Sequence, residues 1–357
     1  MTEAYLNRIE TVVPPHDVHS AFLSFARSRL THDPRQVRLL ARMVERSGIE
    51  HRYSCLKPGL EPEKGPVDAG GIYEPGNFPT TAERMRLFEK FAPSLAAQAV
   101  EKLELGEDRD GITHLVVSCC TGFSAPGLDI DIIERCGLRG SVERTMIGFM
   151  GCYAAINALK VARHIVRSEP GARVLVLNIE LCTLHLQETG SLEQILSFLL
   201  FGDGCAASIV SADPIGLRLD GFHALLAPNT RGLVTWHIRE SGFDMVLSGR
   251  LPAAVQEELS HRSEEFLAGN RVSEIGAWAV HPGGRTVLDA VERAFELPAD
   301  ALTVSRDILR RYGNMSSATV MFVLKAIMDQ PSSRRVGCAM AFGPGLVAEA
   351  MLFRRAA

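Results

Sequence analysis

Apolar and polar positions alternate along this chain with two different periods. In Arg35–Ser47 (RQVRLLARMVERS) and again across Thr81–Gly106, apolar residues recur at helical spacing with charges between them, which predicts two amphipathic helices. Between them, Pro58–Phe78 is crowded with Pro and Gly and reads as an irregular loop. From Thr113 the pattern changes. Short apolar runs, HLVVSCC and then ARVLVLNIE, alternate with helical segments, the pattern of parallel βαβ construction.

A weak internal echo runs through this region. A glycine and Cys152 open an apolar helix containing Leu159-Lys160, and Arg173-Val174 begins the next strand. Further on, Gly313-Asn314 opens another helix containing Leu324-Lys325, and Arg335-Val336 begins a strand. The segments APGLDIDIIERCGL and GGRTVLDAVERAFEL also resemble each other. Two similar halves meeting near residue 215 explain the echo, and chance similarity of α/β segments explains it too.

Composition narrows the class. The 357 residues are 46% hydrophobic and 22% charged, with a formal net charge of −4. Such a chain is long enough to bury a large core, and it lacks the basic excess of a general nucleic-acid binder. No stretch of about 18 uncharged apolar residues occurs, so no membrane insertion is expected. The beginning, MTEAYLNRIETVVPP, has no basic region followed by an apolar run, so no signal peptide is expected either. The expected location is the cytoplasm. None of the eight cysteines sits in a CxxC pair or a metal-like Cys/His spacing, so no metal is expected.

The cysteines must then be read singly. Cys152, in IGFMGCYAAINALKVARHIV, stands where a helix buried on nearly every side begins. The positive end of a helix dipole and unpaired backbone N–H groups favour thiolate there, which predicts a lowered pKa. Gly151 permits a sharp turn and close approach of a substrate. The plainer alternative is a small buried hydrophobe, the commonest role of a free cysteine, and it covers Cys55, Cys136, Cys205 and Cys338. His281, in GAWAVHPGGRTVLDAVE, follows an apolar strand and precedes a Gly-Gly turn, where α/β proteins place working side chains. Asn314, in RRYGNMSSATVMF, lies at a helix start, where a plain N-cap is the competing explanation.

Two chemistries use a Cys, a His and an Asn in this order. In papain-like hydrolases Asn orients the His that activates Cys. The separation of 281 − 152 = 129 residues is compatible with that, but the C-G-[SA]-C-[WY] signature is missing around Cys152. The other is decarboxylative condensation, in which His and Asn both donate to one thioester carbonyl oxygen and stabilise the enolate left when malonyl loses CO₂. Such a preorganised donor is worth on the order of 3 kcal/mol, and an amide donates without titrating.

The motifs MGCYAA, LLFGDGCAASIV, AWAVHPGG, YGNMSSATV and AFGPGLVAE resemble, in order and spacing, those of the type III polyketide synthases, the chalcone synthase-like enzymes. The resemblance spans nearly the whole chain and points to the bacterial branch. It implies a thiolase fold, an α/β architecture of five layers (αβαβα) built from two related halves, 1–215 carrying the nucleophile and 216–357 carrying His and Asn. It implies a homodimer that uses an acyl-CoA starter and malonyl-CoA directly, with no separate cofactor. The product class would be an alkylpyrone, an alkylresorcinol or a small polyhydroxylated aromatic. The competing readings are a ketoacyl synthase III-like single condensation, which HPGG disfavours, a Cys–His–Asn hydrolase or acyltransferase, and a non-catalytic acyl-binding protein.

Residue by residue, the resemblance implies that Cys152 carries the acyl chain. His281 and Asn314 promote decarboxylation, and His281 also pairs with the thiolate. Phe201 matches one aromatic gate position; the other, usually Phe, falls on Met245. Cavity positions fall on Cys120, Cys182, His185, Trp236 and Ser316. Trp236 replaces what is commonly glycine, which would remove cavity volume, while His185 and Cys120 would bring ionisable or polarisable groups beside the chain. Arg42 and Arg46 match residues that hold CoA phosphates, and a third basic position falls on Leu39. A methionine that reaches into the partner subunit in plant members falls on Ala125.

Overall fold

The computed structural model describes residues 2–331 and 336–356. Arg335, expected beside Val336 at the start of a strand, lies outside the described residues. In chain order the first strands are β1 (Tyr5–Val12), β2 (His16–Asp17), β3 (Tyr53–Ser54), β4 (His114–Cys119), β5 (Glu143–Gly148), β6 (Val174–Leu181) and β7 (Asp203–Ser211). After them come β8 (Leu217–Leu226), β9 (Val234–Arg239), β10 (Gly242–Leu247), β11 (Ala277–Val280), β12 (Val336–Gly343) and β13 (Val347–Arg355). The helices of the first part are α1 (His19–Arg29), α2 (Pro34–Ser47), α3 (Thr81–Glu101), α4 (Leu128–Cys136), α5 (Ala154–Ser168) and α6 (Leu192–Phe198). Those of the second are α7 (Leu251–His261), α8 (Ser263–Phe266), α9 (Arg285–Ala294), α10 (Thr303–Tyr312) and α11 (Ala318–Met328).

Nine strands join edge to edge in the order β11-β12-β13-β8-β1-β7-β6-β4-β5. The two ends of this order repeat one plan. β4 runs parallel to β6, while β7 runs antiparallel to both β6 and β1. Likewise β11 runs parallel to β12, while β13 runs antiparallel to both β12 and β8. The runs meet where Tyr5 and Leu6 of β1 pair with Arg218 and Leu217 of β8.

Strand alternation then makes the layers. In β4, Leu115 and Val117 face one core with Phe88 and Ala92 of α3, whereas Val116 faces the opposite core with Ile156 and Leu159 of α5. In β11, Ala279 turns to that same inner core, while Trp278 and Val280 turn outward against α7 and α9. α5 and α11 therefore lie sandwiched between two sheet faces, with α3 and α4 outside one and α7 and α9 outside the other. Ala318 to Leu324 of α11 are buried without exception, as a helix apolar all round must be. This is the expected five-layered arrangement.

Local signals set the element ends. α2 begins where the Asp33 side chain accepts the Arg35 N–H at 2.8 Å with Pro34 behind it, and it stops at left-handed Gly48. α3 begins with a Thr80–Glu83 capping box. It ends at Glu101 and does not continue to Gly106, because Glu104 and Gly106 both take positive φ, which a helix cannot accommodate. Pro58–Phe78 is the irregular loop its composition predicted.

Candidate active site

Cys152 is presented by a single turn, Gly151–Tyr153, that leads into α5. Gly151 has φ +76°, and a Cβ there would stand 2.2 Å from Cδ of Pro344. No side chain fits, so this turn demands glycine. The Gly151 N–H also points at Sγ of Cys120, 3.1 Å away. Cys152 keeps partial solvent contact, through a cavity whose wall also carries His281, Asn314, Phe201, Met245, Cys120, Cys182, His185, Trp236 and Ser316. These residues come from eight different segments, between β4 and α11.

His281 stands one residue beyond β11, its backbone N–H bonded to Met340 O at 2.8 Å. His281 is 1% exposed, yet neither imidazole nitrogen has a hydrogen-bond partner among the described residues. Burial alone lowers it to about 3. The following turn ties it to Asn314: Gly283 N–H donates to His281 O at 2.9 Å, and Asn314 Nδ2 donates to Gly283 O at 3.3 Å. Asn314 is not the N-cap of α11, as its place in the sequence had allowed. The helix begins four residues later, at Ala318, and Oδ1 of Asn314 accepts Ser316 N–H at 2.8 Å instead.

The lowering expected for the Cys152 thiol from its place at a helix start is opposed by burial. Burial pushes the thiol up to about 12, outweighing the Ser316 and Asn314 side chains, which bond the sulfur and favour thiolate. A dipole acts within about one turn of the helix end and is worth roughly 0.3–1 kcal/mol at an exposed position, less than the desolvation of an ion in an apolar cavity.

His185 is likewise not an ionisable group beside the cavity. Nε2–H donates to Thr121 O at 2.7 Å while Nδ1 accepts Phe243 N–H at 3.0 Å, which fixes one neutral tautomer. Burial lowers it to about 3. The ring stacks on Phe243 at 4.1 Å and meets Trp236 edge-on at 5.3 Å. Trp236 lies on β9 directly opposite Met245 of β10. Phe201, Met245 and Cys182 pack into one apolar cluster with Trp236 against it.

Among other wall residues, Phe22 and Phe198 gave no signal in the sequence, whereas Phe342 and Pro344 belong to the AFGPGLVAE motif. Phe22, from α1, and Phe198 line the cavity from the amino-terminal side, and Phe342 and Pro344 from the end of β12. Glu180 was read only as the end of a strand. It is wholly buried, with Oε2 accepting Cys120 N–H at 3.0 Å and the Thr121 hydroxyl at 2.9 Å, and Oε1 accepting the Ser317 hydroxyl at 2.6 Å. It thereby ties the end of β4 to the start of α11. Burial raises it to about 7 against those donors. Arg42 and Arg46 lie elsewhere, exposed on α2 with Leu39 and Met43, outside the cavity wall. No cluster of three or more metal-ligating side chains occurs among the described residues, and no helix there is long and apolar enough to cross a membrane.

Comparison with known proteins gives this geometry a family. The family model for the N-terminal domain of chalcone and stilbene synthases matches residues 6–214, and that for the C-terminal domain matches residues 222–357. The alpha-pyrone synthesis polyketide synthase-like Pks18 of Mycobacterium tuberculosis is 32% identical over 99% of this chain and 91% of its own length. Bisdemethoxycurcumin synthase of Oryza sativa subsp. japonica is 32% identical over 87% of this chain and 81% of its own. The crystal structure of PKS-I from the brown alga Ectocarpus siliculosus superposes with a TM-score of 0.87 at 27% identity, covering 99% of each chain. The chain belongs to the chalcone and stilbene synthase family: it is a type III polyketide synthase, an acyltransferase that works by decarboxylative condensation.

Proposed function

We propose that Cys152 takes the starter acyl group from acyl-CoA and then holds the growing chain, while His281 and Asn314 serve malonyl-CoA. The observation that carries this reading is His281: a buried imidazole with both nitrogens unpartnered, on the same cavity wall as Cys152 and Asn314. Leaving a buried polar atom unsatisfied costs roughly 1–3 kcal/mol, a cost that a bound ligand removes. As the starter thioester arrives, His281 accepts the thiol proton, Cys152 attacks the carbonyl, and the CoA sulfur leaves, taking that proton from His281 to depart as free CoA. In the next half-reaction, His281 and the Asn314 amide donate to the malonyl thioester oxygen. The carboxylate leaves as CO₂, the electron pair is held as an enolate, and its carbon attacks the acyl carbonyl on Cys152. The acyl–sulfur bond breaks, Cys152 is released as thiolate, and the lengthened chain, now a CoA thioester, is passed back to Cys152 with release of CoA before the next round.

Phe201 and Met245 form the two sides of the gate, and Cys120, Cys182, His185, Trp236 and Ser316 bound the elongation space. Arg42 and Arg46 bind CoA phosphates from α2, which packs on α6 and α9, the helices flanking Phe201 and the His281 turn. The chemistry uses CoA thioesters and no further cofactor. A relative carries alpha-pyrone synthesis in its name, and a space narrowed by Trp236 favours a short chain closing to a pyrone here too. The protein acts as a cytoplasmic homodimer. Edge strand β5 supports the dimer, being exposed along almost its whole length beside exposed Phe123, Met146 and Met150. The decisive experiment is mass spectrometry of intact protein after incubation with acyl-CoA. Wild type gains the acyl mass, and Cys152→Ala does not. An adduct that persists in the variant refutes the assignment.

A further inference from the structure

Arg52 has no surface exposure, and its guanidinium meets no carboxylate within ion-pair distance among the described residues. Burial lowers it only to about 9, so it is a cation at neutral pH. Its contacts are specific. Nε donates to Nδ1 of His19 at 3.1 Å, and Nη1 donates to the carbonyl oxygens of both Phe198 and Phe201 at 3.2 Å. The ring of Phe22 lies 5.3 Å below the guanidinium carbon. Phe22, Phe198 and Phe201 are all cavity wall.

The stem of the same side chain reaches the other half of the site. Gly313 has φ +69° and ψ −158°, and a Cβ there would stand 2.8 Å from Arg52 Cγ and 2.8 Å from Leu200 O. Only glycine fits beneath the arginine. The next residue, Asn314, is laced to the gate turn: its N–H donates to Leu200 O at 2.8 Å, and its carbonyl accepts Gly202 N–H at 3.0 Å. Phe201 and Asn314 thus form one rung of a parallel bridge, with Arg52 gripping it from both sides.

We propose that Arg52 is a positioning residue that locks the Phe198–Phe201 turn to the Gly313–Asn314 backbone and so sets where the Asn314 amide stands in the cavity. The inference rests on the reading of Asn314 as a donor to the malonyl thioester. Arg52 touches no substrate. Lysine keeps the charge but has no Nε–H to hold His19 and no planar group to lie over the Phe22 ring. Its ammonium is therefore not oriented toward the Phe198 and Phe201 carbonyls, and Arg52→Lys loosens the rung without removing the cation.

The test is a double-mutant cycle on CO₂ release from malonyl-CoA, using Arg52→Lys in the wild-type and Asn314→Ala backgrounds of the full chain. In the wild-type background Arg52→Lys lowers kcat by about 10-fold or more while KM moves by less than about 3-fold. In the Asn314→Ala background it lowers kcat by less than about 2-fold, because the group it positions is gone. Acyl loading of Cys152, measured on the same samples, falls less than decarboxylation does. Equal losses in both backgrounds, or unchanged decarboxylation in Arg52→Lys, overturn the proposal. Failure of both Arg52→Lys and Arg52→Gln to fold overturns it too, making Arg52 structural only. Normal decarboxylation in Asn314→Ala alone sinks the donor reading itself, a result distinct from additivity in the cycle.

Discussion

The indole N–H of Trp236 donates to the carbonyl oxygen of Cys120 at 2.8 Å. That bond fastens β9 to the end of β4, and the same side chain packs against the apolar cluster of Phe201, Met245 and Cys182. His185 and Phe243 meet the indole edge-on at 5.3 and 5.6 Å, so the ring has no freedom to swing aside.

Trp236 is therefore a rigid end wall. Trp236→Gly should open the space towards His185 and Phe243 and add at least one malonyl-derived unit to the product, read as a mass increase. Trp236→Phe, which keeps most of the volume and loses only the hydrogen bond, should shift the profile less. An unchanged product set in Trp236→Gly removes the residue from the cavity boundary.

His281→Ala and Asn314→Ala should each slow CO₂ release from malonyl-CoA by about 10²-fold or more, the usual loss for one oxyanion donor. Isotope release from labelled malonyl-CoA measures this directly, without needing chain extension. Two variants that decarboxylate normally would leave the enolate without its proposed stabilisers.

Gly151→Ala places a methyl group where Pro344 already stands, 2.2 Å from Cδ, at a backbone φ of +76° that alanine rarely adopts. The turn must shift and carry Cys152 with it. Acyl loading should fall about tenfold or more, by an amount out of proportion to any change in melting temperature. Loading at the wild-type rate would show that the turn tolerates a Cβ.

Glu180 gives the molecule a pH-dependent element. Burial raises its folded-state value to about 7, well above the ordinary 4.5 of a glutamate carboxyl, so the folded protein holds this proton more tightly than the unfolded chain. Between those values the folded state binds more protons, and its stability falls as pH rises from about 4.5 through about 7 and then levels off. Asp203, raised by burial to about 6, adds a smaller contribution of the same sign over the lower part of that window. Glu180→Gln should flatten the melting temperature profile between pH 5 and 8 and raise it by roughly 2 °C or more at pH 8. An unchanged slope in the variant would place the titration elsewhere.

Much of this was legible in the letters. The run HLVVSCC is apolar on both faces because β4 is covered on both, by α3 and by α5, so a continuous apolar strand announced a central layer. The helical spacing of apolar residues over Arg35–Ser47 and from Thr81 located α2 and α3, whose caps at Asp33 and Thr80 the structure then showed. The Cys, His and Asn positions were readable because each sits at an element boundary, Cys152 and Asn314 directly after a glycine and His281 just before Pro282-Gly283-Gly284. A backbone that must turn sharply near a working side chain leaves that mark. Arg52, Glu180 and Phe22 left none. Each looks ordinary in its own segment, and Arg52 meets Phe198 and Phe201 across 146 and 149 residues.

The sequence by itself determined the α/β class and, through five motifs in order, the family with the layered architecture it implies. It also singled out Cys152, His281 and Asn314 as candidates, because periodicity, turns and motif spacing are local properties. Tertiary structure alone decided their states. Whether Cys152 rests as thiol, whether His185 can titrate and whether Asn314 caps a helix or faces a cavity all depend on which partners arrive from distant segments and on how much water they displace. Desolvation and hydrogen-bond pairing are set by atoms within a few ångströms in space, and neighbours in space are not neighbours in the chain.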